Sequence, residues 1–286
     1  MNQEIEDMAR DLAGKGYAKT TQKAYLKEAR ALAEWAGKPP SEITREELRQ
    51  YVEGLRQSAK STSGLRSQFC ALFFLYKRTL GMPEHVSFFS LPKQRSKVPD
   101  VLTQKEVQSL LQRIEVARYQ GIAMVMYGAG LRIDEALNLQ VSDIDGERGI
   151  IRVRHGKGDK AREAKLSPAL YGWLREYWSI AQPAGSYLFG ARRTGKRPMK
   201  STVNKALKKA AEAAWIKKPV HAHVLRHSFA THLLEQGVDI YIVSRLLGHE
   251  SLMSTRRYAR VTRKIIRQVP SPVDLLPQGR PPKPTL

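Results

Sequence analysis

His223-Val224-Leu225-Arg226-His227-Ser228-Phe229-Ala230-Thr231, followed by Leu246-Leu247-Gly248-His249 and then by Tyr258, is the stretch whose reading decides this chain. Phe229, Leu233 and Leu234 continue it at helical spacing and Gly237 closes it, so it reads as a helix with His223 and Arg226, three apart, on one face. Val238 to Leu247 reads as a second amphipathic helix, broken by Gly248 with His249 just beyond. Imidazoles, a guanidinium and a phenol so arranged suit attack on a phosphodiester without metal. That anion repels nucleophiles, so a neutral phenol reacts with it only where fixed cations offset the charge on its non-bridging oxygens and other groups move the protons.

Two upstream segments supply the remaining cations. The apolar run Ile122 to Tyr127 is stopped by Gly128-Ala129-Gly130, and Arg132 follows at the start of Ile133 to Leu139, a helix N-terminus whose dipole adds positive potential. Ile150 to Arg154 and Arg162 to Leu166 alternate as two strands of a β-hairpin, joined by His155-Gly156-Lys157-Gly158-Asp159-Lys160. A nucleotide-binding loop is disfavoured, because neither Ser nor Thr follows Lys157 and a strand, not a helix, comes next. A lysine on a hairpin tip can enter a groove and donate a proton, provided neighbouring arginines lower its pKa.

Working outward, Thr103-Gln104-Lys105-Glu106 is a capping box that opens a new domain, and Ser201 caps a run through Ala214 with Lys205, Lys208 and Lys209 on a basic face. Leu91 to Asp100 holds two prolines and no apolar period and reads as a basic linker, either tracking a phosphate backbone or simply solvated. Before it, about four helices are expected: one around Ile5 to Leu12, one with Tyr25, Ala29, Leu32, Ala33 and Ala36 on a face, one opened by the capping box Thr44 to Glu47, and one carrying Leu65, Phe69, Leu72, Phe73, Tyr76 and Leu80 until Gly81-Met82-Pro83. The expected fold is mainly α with a small β-hairpin or sheet (α+β).

Composition narrows the partner. The chain of 286 residues carries 49 Lys and Arg against 27 Asp and Glu, a net charge of +22. Residues 1–90 hold 14 and 11 of these and residues 91–286 hold 35 and 16, so the C-terminal part dominates the electrostatics. Such an excess suits nucleic acid first and an anionic membrane second. No apolar run approaches the roughly 20 residues needed to span a bilayer, and no signal peptide is visible, which points to the cytoplasm. The single cysteine, Cys70, rules out an intrachain disulfide and a cysteine-based zinc site, and its apolar surroundings predict a buried structural thiol. His223, His227 and His232 lie on neighbouring turns, but no HExxH and no carboxylate joins them at ligand spacing, so no metal is expected.

Gly130-Leu131-Arg132-Ile133-Asp134-Glu135, Gly156-Lys157-Gly158-Asp159-Lys160, His223 to Thr231, Leu246 to His249, and Tyr258, nine residues after His249, closely resemble the tyrosine recombinases, or phage integrase family, and occur in family order. The resemblance covers residues 1 to 261, including a Thr-x-x-x-Tyr pattern at Thr21 and Tyr25. It implies a helical core-binding (SAM-like) domain over 1–90, the linker over 91–100 and a catalytic domain over 101–261; 262–286 reads as a C-terminal helix and Pro-rich tail, for which the resemblance implies docking in trans on a neighbouring subunit and the alternative is packing back on its own domain. It also implies site-specific recombination of double-stranded DNA. Arg132 and Arg226 hold the phosphate, Tyr258 attacks to give a 3′-phosphotyrosine, and Lys157 protonates the leaving 5′-oxygen. His223 assists proton transfer, His249 bonds the phosphate, and Glu135 orients Arg132 and His223. Neither metal, ATP nor any other cofactor is needed, and the assembly implied is a homodimer on one site and a homotetramer at synapsis, associated with the nucleoid. Departures include Asp134 where the family favours Ser, and Ser254-Thr255 where it favours Thr-Thr. The alternatives are a type IB topoisomerase-like enzyme that relaxes DNA, a binding-only DNA regulator, and a membrane-surface protein, which lacks an anchor.

Overall fold

Thr44 stops the chain and starts a helix. Its Oγ1 accepts from the Glu47 amide at 3.3 Å while Glu47 Oε2 accepts from the Thr44 amide at 2.7 Å, the reciprocal cap that its sequence predicts. This helix, α3 (Arg45–Ser58), joins α1 (Gln3–Gly14), α2 (Lys19–Ala36) and α4 (Thr62–Phe74) around a core of Met8, Leu12, Leu32, Leu48, Phe69 and Leu72. The structure, a computed structural model, describes residues 3–93, 100–154 and 161–248, and the chain divides into two compact units, Met1–Lys97 and Val98–Leu286.

Sequence periodicity predicts one helix from Leu65 to Leu80, but α4 widens into a π-helical turn over Leu75–Thr79 before Gly81 reverses the chain at φ +68°. The wider turn lets adjacent Leu75 and Tyr76 both enter the core, and the Tyr76 hydroxyl then donates to the Pro40 carbonyl at 2.9 Å. Cys70 is half-buried beside Tyr25, not enclosed as its neighbours suggested.

The second unit is built around α6 (Ala117–Gly128), which buries Ile122, Ala123, Val125 and Met126 and so has no wet face to speak of. Around it lie α5 (Gln104–Gln112), capped by Thr103 as expected, α8 (Pro168–Ala181), α9 (Lys200–Ala213) and α10 (Ala222–Glu235). Ser201 does not cap α9: the helix begins one residue earlier, and Met199 precedes it without a side-chain cap. A short helix α7 (Ile133–Leu137) leads to an antiparallel sheet in the order β1 (Ile144–Asp145), β2 (Ile150–Val153), β3 (Arg162–Lys165), with Val153 opposite Arg162 and Ile151 opposite Ala164. The hairpin is therefore the larger part of a three-stranded sheet, whose first strand is too short for a periodicity to announce; the turn at His155 to Lys160 lies outside the described residues. Finally α11 (Ile240–Leu247) packs Val243 and Leu247 against Phe229, Ala230 and Leu234 of α10. The protein is thus mainly helical with one small antiparallel sheet.

Candidate active site

The break after α6 positions the first arginine. Gly130 sits at φ +65°, and a Cβ there would meet Phe229 Cε1 at 2.5 Å, so glycine is what allows the chain to turn while α10 packs behind it. The turn delivers Arg132 to the N-cap position of α7. Glu135, one turn along, accepts the Arg132 amide on Oε2 at 2.8 Å and the Arg132 guanidinium on Oε1 at 2.7 Å. One carboxylate thus fixes both the backbone and the side chain of the same arginine.

Arg226 comes from the first half of α10 and points at the same place. Its Nη1 donates to the Gly130 carbonyl at 2.5 Å and lies 3.8 Å from Glu135 Oε2, while Nη2 donates to the Leu247 carbonyl at 2.7 Å. Arg132 Nη2 reaches the Gly248 carbonyl at 3.2 Å. The Gly130 turn and the C-terminus of α11 therefore lie on either side of the two guanidiniums, and the carbonyls left over by the end of α11 become their acceptors.

A third arginine, which sequence reasoning passed over, completes the cluster. Arg162 at the start of β3 donates through Nη2 to Glu135 Oε2 at 2.7 Å and through Nη1 to the Leu246 carbonyl at 2.6 Å. Its signal was present in the strand alternation, since Arg162 shares the inward register with buried Ala164 and Leu166. An arginine on the apolar face of a strand implies a buried partner, and that partner is Glu135.

Side-chain exposure separates the members: Glu135 2%, Arg226 4%, Arg162 11% and Arg132 21%. Burial works against the Glu135 carboxylate, yet the Arg162 charge, the Arg132 amide and guanidinium and the Arg162 hydrogen bond together hold its pKa below the ordinary value. It is ionised at neutral pH, and three guanidiniums against one carboxylate leave the cluster with excess positive charge. His223, near the N-terminus of α10, has its pKa lowered by partial desolvation, then by the charges of His221 and Arg226, with Asp134 opposing. A neutral imidazole results, able to take a proton. Asp134, whose charge opposes that shift, is itself bonded to Lys200 at 2.6 Å, and Glu135 bonds Arg132 and Arg162.

The structure brings Arg132, Glu135 and Arg226 together and sets His223 on the same helix as Arg226. Lys157, His249 and Tyr258 lie outside the described residues. Among the described residues no group of His, Cys, Asp and Glu is arranged to hold a metal ion, and no helix is long and apolar enough to cross a membrane. His232, one of the histidines on neighbouring turns, instead bonds the Tyr127 hydroxyl at 2.9 Å. On the basic face of α9, Lys209 pairs with Glu115 at 2.9 Å and Lys208 lies 3.9 Å from Glu212.

Residues 100–264 match the phage integrase family and residues 5–85 match the phage integrase N-terminal SAM-like domain. The tyrosine recombinase XerA of Thermococcus kodakarensis is 33% identical over 279 residues, covering 96% of this chain and 96% of the relative. The tyrosine recombinase XerA of Pyrococcus furiosus is 34% identical over 276 residues, covering 95% of this chain and 94% of the relative. Among solved structures, a lambda integrase tetramer bound to a Holliday junction superposes with a TM-score of 0.74 at 18% identity, covering 90% of this chain and 76% of that one, a likeness of fold. The chain belongs to the phage integrase family and is a tyrosine-type site-specific recombinase.

Proposed function

We propose that this recombinase cleaves and rejoins double-stranded DNA through a 3′-phosphotyrosine formed on Tyr258, exchanging strands between two sites in integration, excision or resolution of a mobile element or replicon. The observation that carries the reading is the convergence of Arg132 and Arg226 on one buried carboxylate, 2.7 and 3.8 Å from its oxygens, in a cluster whose cations outnumber its anions. A phosphodiester is the ligand such a cluster lacks. Pre-aligned guanidiniums stabilise the charge that builds on the phosphoryl oxygens without reorganising. Arg132, the more exposed of the pair, offers its outer edge to the DNA, and Arg226 contributes from beneath. Neutral His223 receives the Tyr258 proton, Lys157 protonates the departing 5′-oxygen, and His249 bonds the phosphate. The ester conserves the energy of the broken bond, so religation to a new 5′-hydroxyl needs no ATP.

In this reading residues 1–90 grip one face of the DNA, 91–100 form the linker, 101–261 carry the chemistry, and 262–286 dock on a neighbouring subunit. Two copies occupy a site and four form the synapse, an assembly supported by the fold shared with the junction-bound lambda integrase tetramer. The cytoplasm, on nucleoid DNA, is the matching location. A topoisomerase-like activity is not favoured, because the relatives over nearly the whole chain are recombinases. The test is a suicide substrate, in which cleavage releases a short fragment and traps the covalent complex. Tyr258→Phe is expected to bind the site with unchanged affinity and yield no covalent complex. Covalent complex at the wild-type level in that variant would refute the assignment.

A further inference from the structure

We infer that Arg162 is a positioning residue of the active site: it ties the root of the β-hairpin both to the carboxylate that orients Arg132 and to the end of α11 that leads into His249. The inference rests on the reading of Arg132 as a phosphate-binding group, and on three independent observations. First, the Arg162 fork spans two elements, with Nη2 on Glu135 Oε2 at 2.7 Å and Nη1 on the Leu246 carbonyl at 2.6 Å. Second, Gly248 sits at φ +61° and a Cβ there would collide with Arg162 Cδ, so the chain at the end of α11 is shaped around this side chain. Third, the Arg162 Nε is buried and meets no acceptor among the described residues. A residue kept only for stability is better served by an apolar side chain than by an incompletely satisfied buried cation.

The arrangement also explains what Arg162 does not do. Both of its terminal nitrogens are committed to protein acceptors, as are those of Arg132, and what separates the two is exposure: the Arg132 side chain is 21% exposed against 11% for Arg162. Arg162 therefore acts on the phosphate through Glu135 and Arg132. Its place five residues after Lys157 in the sequence makes the β3 end of the hairpin a fixed point, so the chain that follows the proton donor and the helix end that precedes His249 share one anchor. A lysine cannot reproduce this, because an ammonium lacks the planar fork that meets two acceptors in set directions.

The test uses the full chain with Arg162→Gln and Arg162→Lys, single-turnover cleavage of a suicide substrate across pH, and 13C NMR titration of the Glu135 carboxyl. Arg132, Arg162 and Arg226 are the charged groups paired with Glu135 among the described residues, and Asp143, Arg152 and Arg154 line a cavity with it. Arg162→Gln is expected to slow cleavage about 100-fold, the scale of a small misplacement of a reacting group, with site binding retained. Its Glu135 titration and the acid limb of its rate profile should both move to higher pH. Arg162→Lys should restore the titration, which needs only charge, and leave cleavage slow, which needs the fork. Wild-type rate and pH profile in Arg162→Gln, or full recovery of rate in Arg162→Lys, would overturn the inference. If Arg162→Gln fails to fold, Arg162→Lys decides alone: slow cleavage at wild-type thermal stability supports the tie, and wild-type cleavage removes it. If wild-type protein forms no covalent complex while Glu135 still titrates according to Arg162, the phosphotyrosine reading falls and the tie stands.

Discussion

Glu28 in the N-terminal unit and Glu135 in the C-terminal unit are both buried carboxylates, and they are buried by different means. Glu28 accepts from the Tyr51 hydroxyl at 2.9 Å and from the Gln68 amide at 3.1 Å, two neutral donors. Burial, followed by the Glu28 charge, pushes the Tyr51 phenol well up, so it remains a donor at any physiological pH. Glu135 is surrounded instead by three guanidiniums. The first arrangement is self-contained and joins α2, α3 and α4 of a scaffold. The second is charged in excess of what its own carboxylate neutralises, which is the condition for recruiting an outside anion. Buried charge alone does not mark a site; the sign left over does.

Removing one charge from each place is the strongest way to break this contrast. Glu135→Gln leaves buried arginines without their counter-charge and is expected to lower stability by about 3–5 kcal/mol, whereas Glu28→Gln keeps hydrogen-bonding capacity and should lose about 1 kcal/mol, both read by denaturant unfolding. Equal losses would mean that the surplus charge is not structurally felt. Next in size is a glycine pair. Gly81→Ala, at φ +68° with open space beyond, should cost about 1 kcal/mol of left-handed strain, while Gly248→Ala adds a collision with Arg162 and should also slow covalent-complex formation. A Gly248→Ala variant with unimpaired cleavage would separate the end of α11 from the site.

Acid should distinguish the two units more gently. The Glu135 pKa is lowered in the folded state, so its stabilisation is complete above the ordinary value of 4.5 and disappears as pH falls through the folded value. Unfolding free energies measured from neutral pH down to this range should therefore drop, and the drop should shrink in Glu135→Gln. The smallest effect belongs to His223. With its pKa below the ordinary 6.5, the unfolded chain takes up the proton first, so stability declines slightly as pH falls through that region. A His223→Gln variant with the same slope there would show that the imidazole does not contribute it.

Sequence by itself determined the helices with strong edges: Thr44 and Thr103 stand three residues before glutamates, and their caps form as read. It also determined the family, because motif order carries membership even without coordinates, and named Arg132, Glu135 and Arg226 as candidates for one site. Only the tertiary structure decided that the arginines meet on a single carboxylate, that Arg162 is their third member, and that α4 opens into a π turn. The reason is physical. Caps and amphipathic faces are set by neighbours within a turn or two along the chain. The charge on a buried guanidinium is balanced instead by whatever the fold brings to it, here a carboxylate 27 residues away and the carbonyl of Leu246, 84 residues away.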